Sequence, residues 1–251
     1  MAAENGTRCV ALVGPYLSGK TTLMESLLSV TGGIHRKGSS KEGNTVGDSS
    51  AEARARQMSI EVSVSSTSHL GDEWVFLDCP GSIEMQQEAI NALMVCDLAV
   101  VVYEPSTARA MTLAPILKQL TDRGIPYVLF LNKIDTISES VPAVYQALRE
   151  VEIAPLVLRQ IPIRAGEDVI GYIDLISGKA YRYSTGEESE VIEIPAELAD
   201  DYEMARGDML EALADFNDSL LERLLEDEVP TSRSSTGFSP RASRRPTSCR
   251  S

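Results

Sequence analysis

The sequence predicts an α/β fold in which helices cover both faces of a mostly parallel sheet, with a small α+β subdomain after it. Short apolar runs alternate with helix-like segments up to about residue 135, as strands and covering helices do in a parallel sheet. Beyond that point short runs follow one another closely and are separated by glycine-containing turns, which is typical of antiparallel strands. A chain of 251 residues can bury one core and a small second one.

The predicted strands of the first part are the short apolar runs, and the predicted helices are the longer segments between them. In chain order they are strand 9–13, helix 22–30, strand 74–77, helix 83–94, strand 98–103, helix 111–121 and strand 127–131. A further run differs, because Ile60, Val62 and Val64 alternate with polar residues. This alternation predicts an antiparallel edge strand beside the parallel set. The polar stretch 31–57 before it is long enough for a loop that a ligand orders.

The second part of the chain divides into a sheet, a helical segment and a tail. A helix at 140–150 closes the first domain, residues 1–150, and residues 151–229 are predicted as the subdomain. Its predicted strands are 156–158, 169–174, 179–183 and 191–194. Leucines spaced by three and four residues between Pro195 and Glu228 predict two helices packed on this sheet. The tail, 230–251, has five arginines, seven serines and no acidic residue, so it cannot form a core and is expected to be disordered.

Composition excludes several classes of protein. The net charge of −14 argues against direct DNA binding, which needs a basic face. The longest apolar runs are too short to cross a bilayer, and the N-terminus lacks the pattern of a signal peptide, so a cytoplasmic location is expected. The four cysteines are scattered without zinc-site spacing, which favours neither a disulfide framework nor a zinc site.

The first motif with a chemical meaning lies between the first predicted strand and helix. It reads Gly-Pro-Tyr-Leu-Ser-Gly-Lys-Thr and matches the phosphate-binding pattern GxxxxGK[ST], the P-loop. The glycines let backbone N–H groups approach a phosphate, Lys20 reaches the β- and γ-phosphates, and Thr21 supplies a magnesium ligand. The predicted nucleotide-binding residues of this loop are Gly14, Pro15, Tyr16, Leu17, Ser18, Gly19, Lys20, Thr21 and Thr22.

A second motif follows the strand at 74–77. It consists of Asp78, Cys79, Pro80, Gly81 and Ser82, all of which are predicted to lie at the nucleotide. Asp78 stands at the tip of the strand, where a carboxylate holds magnesium through water, and the Gly81 N–H can donate to a γ-phosphate. Taken alone, the same residues are also a common turn at a strand exit.

A third motif, Asn132-Lys133-Ile134-Asp135, follows the strand at 127–131. The Asp135 carboxylate can accept both N1–H and the exocyclic amine of guanine, whereas adenine offers no such pair of donors. A polar strand-to-loop transition is the alternative for this tetrapeptide by itself. Three such motifs in this order, each after a predicted parallel strand, favour guanine-nucleotide binding.

The three motifs together resemble the G domain of translational GTPases. The intervening loop narrows the resemblance to elongation factor G, through Asp48, Glu52, Arg54 and Arg56, followed by Gln57-Met58-Ser59-Ile60. In this register Ser59 falls where the family has its magnesium-binding switch threonine. The subdomain adds 158–163, 171–175 and 179–181, which are similar to an insertion peculiar to elongation factor G and close relatives.

The resemblance covers about residues 8–230 and carries implications for fold, chemistry and partners. It implies a P-loop NTPase fold that binds GTP or GDP with Mg²⁺ and hydrolyses GTP during a step on the ribosome. Lys20 and Gly81 are the implied catalytic residues. The implied metal-binding residues are Thr21, Ser59 and, through water, Asp78.

The sequence also departs from the family pattern. Ser82 occupies the place of the family's histidine, which positions the attacking water, and a serine is shorter and cannot become a cation. Pro15 and Leu17 stand where the family has His and Asp, so a monovalent cation held by this loop is not expected. Two alternatives to an efficient GTPase therefore stay open, a nucleotide-binding switch with little hydrolysis and an inactive truncated fragment.

The tail predicts a further departure. In the resembling family an acidic helix such as 220–228 is followed by another helix, the last strand of the G domain and further domains, whereas an arginine and serine run follows here. We expect a homologue of elongation factor G that is cut short near Thr231, through a shift of reading frame. A native basic tail is the alternative.

Overall fold

The structure is a computed structural model, and it describes residues 6–40, 42–47, 58–135, 140–151, 156–184 and 188–214. The chain divides into two compact units between residues 154 and 155. Over the described residues, no helix combines the length and the apolar character needed to cross a lipid bilayer. The predicted second helix of the subdomain and the basic tail lie outside these residues, as do Asp48, Glu52, Arg54, Arg56 and Gln57.

The first unit is a five-stranded sheet with helices between its strands. The strands are β1 Thr7–Val13, β2 Ser63–His69, β3 Asp72–Asp78, β4 Leu98–Tyr103 and β5 Tyr127–Leu131. The helices are α1 Lys20–Val30, α2 Gln86–Leu93, α3 Ala114–Arg123 and α4 Val141–Val151, with 3₁₀ turns at Ile83–Met85 and Thr107–Leu113. The spatial order is β2-β3-β1-β4-β5. All neighbours pair parallel except β2, which is antiparallel to β3, and this confirms the predicted sheet.

Strand β1 lies at the centre of this sheet and is covered on both faces. On one face Val10 and Leu12 pack against Met24 and Leu28 of α1. Ala11 alternates with them on the other face and is also fully buried. A strand buried on both sides has a continuous apolar sequence, which explains why its position was predictable. The carboxyl ends of the parallel strands meet at one edge of the sheet, and all three motifs begin there.

The edge strand is shorter than the alternation predicted. Ile60 and Val62 precede β2, which begins only at Ser63, so the predicted extent was wrong. Val64 is 65% exposed, whereas Thr67 is 7% exposed. Thr67 lies close to Gly33 at the end of α1, where an added Cβ would be 3.0 Å from the Thr67 side chain. The inward positions of β2 therefore take small polar side chains, because the chain after α1 passes close to them.

The second unit is a four-stranded antiparallel sheet that carries one described helix. Its strands are β6 Gln160–Ala165, β7 Asp168–Asp174, β8 Lys179–Arg182 and β9 Glu190–Ile192, paired in chain order. The predicted strand at 156–158 was wrong, because the first strand begins at Gln160. Pro162 lies inside β6, and β6 is an edge strand, where a residue without an N–H is tolerated.

Helix α5, Ala199–Ala214, packs on this sheet after a 3₁₀ turn at Ala196–Leu198. The buried core of the unit consists of Ile161, Ile163, Ile173, Leu175, Ala180 and Met209. Tyr202, Ala205 and Leu210 of α5 pack against this core. The helix is tied to the sheet by Arg206, which donates to the carbonyl of Leu175. The first of the two predicted helices is thereby confirmed.

Two glycines of the second unit predict opposite effects of the same substitution. In Gly171→Ala the new Cβ would lie 2.0 Å from the Tyr181 carbonyl oxygen on β8, so the two strands must separate. We expect a destabilisation of roughly 1–3 kcal/mol or more. In Gly207→Ala the Cβ meets nothing within 4 Å on α5. A gain of about 0.5–1 kcal/mol is expected there from helix propensity.

Hydrogen exchange of the β7 and β8 amides in the two variants measures both effects through the free energy of opening. Gly207→Ala is the matched control, since it adds the same methyl group to the same unit. Equal protection of β7 in Gly171→Ala and in the unaltered chain would contradict the close approach of the two strands.

Candidate nucleotide-binding site

The loop between β1 and α1 lies against the ends of two other strands. Gly14 has φ +137°, and a Cβ there would lie 2.2 Å from the carbonyl oxygen of Val102 on β4. Gly19 has φ +97°, and its Cβ would lie 2.3 Å from Nδ2 of Asn132. Only glycine fits these two positions. Gly19 is also the N-cap of α1 and has no side chain to cap the first turn, so the N–H groups of that turn can meet a ligand.

Lys20 is folded onto the same loop. Its Nζ donates to the carbonyl oxygens of Gly14, at 3.1 Å, and Pro15, at 2.9 Å. The side chain is buried, and this burial lowers the pKa of Lys20, while the negative charge of Asp78 opposes the shift. A phosphate group would provide this ammonium with a second anionic partner.

Three oxygen-bearing side chains meet beside Lys20. The Thr21 hydroxyl donates to Oδ2 of Asp78 at 2.6 Å, and the oxygens of Thr21 and Ser59 are 3.4 Å apart. Asp78 is fully buried at the end of β3. Two hydroxyls and a carboxylate are hard oxygen donors of the kind that Mg²⁺ binds, usually together with waters and phosphates. These are the three residues predicted as metal ligands, and their donor set fits the ion.

Gly81 and Ser82 continue from Asp78 past the phosphate-binding loop. A Cβ on Gly81 would lie 2.4 Å from Nζ of Lys20 and 2.8 Å from the carbonyl oxygen of Pro15, so the chain passes directly over the loop. The hydroxyl of Ser82 is buried and has no hydrogen-bond partner among the residues that the structure describes. A donor of this kind implies a missing polar partner, such as a water or a ligand oxygen.

Cys79 and Pro80 belong to the buried part of this segment. Both are buried, and the backbone N–H of Cys79 donates to the carbonyl oxygen of Leu12 on β1 at 3.1 Å. Burial raises the pKa of the Cys79 thiol to about 12, with the Asp78 charge acting in the same direction. The thiol therefore stays protonated and offers no nucleophile at neutral pH.

The third motif is tied to the first by two side-chain hydrogen bonds. Asn132 follows β5 and donates from Nδ2 to the carbonyl oxygen of Ser18 at 2.8 Å. Lys133 donates from Nζ to the carbonyl oxygen of Leu17 at 2.9 Å. Asp135 lies on the same loop with an exposed side chain, where a planar base could reach its carboxylate.

The remaining predicted residues of the loop contribute differently. Tyr16, Leu17 and Thr22 have exposed side chains, so a phosphate between the loop and α1 would meet their backbone. Ser18 is 2% exposed, and its hydroxyl has no hydrogen-bond partner among the described residues. Two buried hydroxyls at this site, those of Ser18 and Ser82, are thus left without partners by the described part of the chain.

Sequence reasoning missed two carboxylates. Glu104 directly follows β4 and forms an ion pair with Lys133, with 2.9 Å between Oε2 and Nζ. This bond lowers the pKa of Glu104 and holds Lys133 over the loop. Its position just after a parallel strand was the available signal. Glu25 is fully buried on α1, and no motif spacing marks it.

The chain matches a known family along most of its length. A family model described as the elongation factor Tu GTP binding domain matches residues 5–228. The chain belongs to this GTP-binding domain family. It is 53% identical over 223 residues to an elongation factor G-like protein of Synechocystis sp. (strain ATCC 27184 / PCC 6803 / Kazusa), and the match covers 89% of this chain and 33% of the relative. The predicted likeness to elongation factor G is thereby confirmed.

A solved structure has a similar fold. The crystal structure of a protein from Thermus thermophilus matches with a TM-score of 0.77 and 34% sequence identity. The match covers 90% of this chain and 34% of that one, so the chain spans about a third of the length of both relatives. The predicted P-loop GTPase fold is confirmed by this match.

The bond between Asn132 and Ser18 predicts a local effect of substitution. In Asn132→Ala the Ser18 carbonyl loses its donor, and we expect the phosphate-binding loop to be destabilised by about 1 kcal/mol. Faster hydrogen exchange of the Ser18 amide, which donates to the carbonyl oxygen of Pro15 at 3.3 Å within this loop, measures this change. Asn91→Ala on the exposed side of α2 is the matched control. Unchanged exchange of the Ser18 amide would show that the contact does not hold the loop.

Proposed function

We propose that this chain binds GTP and GDP with Mg²⁺ at the carboxyl edge of its parallel sheet. It would act as a slow GTPase of the elongation factor G type, coupled to translocation or a related ribosomal step. The observation that carries the proposal is the position of the Thr21 hydroxyl, 2.6 Å from Asp78 and 3.4 Å from Ser59, beside the buried Lys20. The ribosome enters as a partner through family membership alone.

The phosphates would lie between the loop of residues 14–19 and the first turn of α1. The backbone N–H groups of that turn and the positive end of the helix favour an anion there. The Ser18 hydroxyl is buried without a partner in the described chain and could donate to a phosphate oxygen. Lys20 would exchange the carbonyls of Gly14 and Pro15 for β- and γ-phosphate oxygens.

The metal would be held by the hydroxyls of Thr21 and Ser59, with Asp78 acting through water. When bound, Mg²⁺ would offset the negative charge that develops on the phosphates during transfer. The Thr21 hydroxyl, which now donates to Asp78, would turn its lone pairs to the metal and keep that hydrogen bond.

Guanine recognition would belong to the third motif. The Asp135 side chain is exposed beside the loop and can accept two N–H groups from the base edge. Asn132 and Lys133 hold this segment to the carbonyls of Ser18 and Leu17. The proposed base site and phosphate site are therefore held in a fixed position relative to each other, which favours binding of a whole nucleotide over binding of the base or the phosphate alone.

Hydrolysis would depend on Gly81 and Ser82. The Gly81 backbone lies over Lys20, where its N–H could meet a γ-phosphate. The Ser82 hydroxyl is buried and unpartnered among the described residues, so it can hold a water but cannot carry a positive charge. The second candidate function, a switch with little hydrolysis, is favoured by this one residue.

The base specificity predicts the effect of exchanging Asp135 for its amide. In Asp135→Asn the side chain can donate to the carbonyl that xanthine presents where guanine presents an amine. We expect GDP to bind about 10² times more weakly or worse, and xanthosine diphosphate to bind better than GDP. Competition against a fluorescent nucleotide measures both affinities. Asp122→Asn makes the same change at an exposed site on α3, and it should leave both affinities alone.

The missing water-positioning group predicts slow turnover. Single-turnover hydrolysis of GTP should be slow in the unaltered chain, with or without ribosomes. Ser82→His should raise the rate by about 10² to 10⁴, the range for a positioned proton-transfer group. Ser29→His places the same side chain at an exposed site of α1 and should change nothing. No gain in Ser82→His with ribosomes present would show that Ser82 does not limit hydrolysis.

A further inference from the structure

The buried carboxylate of Glu25 holds two backbone groups of the loop that follows α1. Its Oε2 accepts the N–H of Gly38 at 2.6 Å, and its Oε1 accepts the N–H of Val46 at 2.5 Å. The side chain is fully buried. Both oxygens of one charged group are thus used to hold two points of one loop, through bonds that are stronger than neutral ones.

One carboxylate reaches both points because the loop closes on itself. The N–H of Ser39 donates to Oδ1 of Asn44 at 2.7 Å, and that of Asn44 donates to the Ser39 carbonyl oxygen at 3.5 Å. A Cβ on Gly38 would lie 2.6 Å from the Asn44 carbonyl oxygen. Gly38 and Val46 therefore lie close together, where the loop begins and ends, and Glu25 accepts a hydrogen bond from each.

The end of this loop adjoins the proposed metal donors. Gly47, the residue after Val46, would place a Cβ 3.4 Å from Oδ2 of Asp78 and 3.5 Å from Cγ2 of Thr21. Its carbonyl oxygen accepts a hydrogen bond from Ser63 at the start of β2. The backbone at Gly47 is thus fixed beside the Thr21–Asp78 pair.

Helix α1 connects the proposed metal site with the loop that Glu25 holds. Thr21 and Glu25 are four residues apart, so they lie on the same side of the helix, one turn above the other. A single rigid turn therefore carries the hydroxyl of the metal site and the carboxylate that fastens the loop. Opening the loop would break two charge-assisted bonds and leave a buried carboxylate without donors, which is costly.

We propose that Glu25 is a positioning residue that holds the described loop residues 38–40 and 42–47 beside the metal donors and thereby slows release of the Mg²⁺–nucleotide complex. This inference rests on the proposed function. It assigns to Glu25 no contact with nucleotide or metal, since its oxygens are directed at the loop.

The test compares nucleotide release with and without magnesium in the full chain. Release of fluorescently labelled GDP is followed for the unaltered chain, Glu25→Ala and Glu25→Gln. In saturating Mg²⁺ we expect Glu25→Ala to release GDP about tenfold faster or more, the scale of one lost charged hydrogen bond. Glu25→Gln keeps one acceptor oxygen, so its rate should lie between the other two. In excess EDTA the three rates should converge, because the loop acts through the metal site.

A purely structural role of Glu25 gives a different pattern. General loosening of the domain would speed release by the same factor in Mg²⁺ and in EDTA, and that outcome, or no change in either, overturns the proposal. Glu88→Ala on the exposed side of α2 should match the unaltered chain. If Glu25→Ala does not fold, the Mg²⁺-to-EDTA comparison in Glu25→Gln decides. Failure of the unaltered chain to bind GDP would instead refute the proposed function, and this inference would fall with it.

Discussion

The loop of residues 14–19 passes very close to the ends of β4 and β5, and this approach determines how the groups of the first unit meet. At Gly14 and Gly19 a single methyl group would collide with the Val102 carbonyl and the Asn132 side chain. This proximity allows Asn132 and Lys133 to bond to the loop carbonyls. It also places the N-terminus of α1 at the carboxyl edge of the sheet, where Asp78 ends its strand. The fold thus brings residues distant in sequence together at one edge of the sheet.

Three polar residues of this site, Ser18, Lys20 and Asp78, are buried. Lys20 donates hydrogen bonds to loop carbonyls, and Thr21 donates one to Asp78. The hydroxyls of Ser18 and Ser82 have no hydrogen-bond partner among the described residues. Burying such groups is unfavourable unless each finds a partner. A phosphate and a divalent cation would supply such partners, so the burial of these groups supports the proposal that this edge of the sheet binds a nucleotide with its metal. Glu25 is likewise buried, and its two oxygens accept hydrogen bonds from backbone N–H groups of the loop after α1.

Much of this site was predictable because parallel strands bring their carboxyl ends together. Each motif follows an apolar run that predicts a parallel strand, so Asp78, Asn132 and the loop at Gly14 were expected at one edge of the sheet. The contacts of Glu25 were not predictable, since they hold a loop whose path no spacing encodes. Glu104 was missed although its position directly after β4 was an available signal. The strand boundaries at Ser63 and Gln160 were missed for a related reason. Ile60, Val62 and the run at 156–158 are apolar, and pattern alone does not distinguish a strand from the packed segment before it.

The proposed ligand of this edge of the sheet is a guanine nucleotide together with magnesium. Equilibrium binding of GDP and of ADP to the unaltered full chain, each with Mg²⁺ and with excess EDTA, tests this proposal. We expect GDP to bind much more tightly than ADP and the removal of Mg²⁺ to weaken GDP binding. Equal affinities for the two nucleotides, or GDP affinity that does not respond to Mg²⁺, would contradict it.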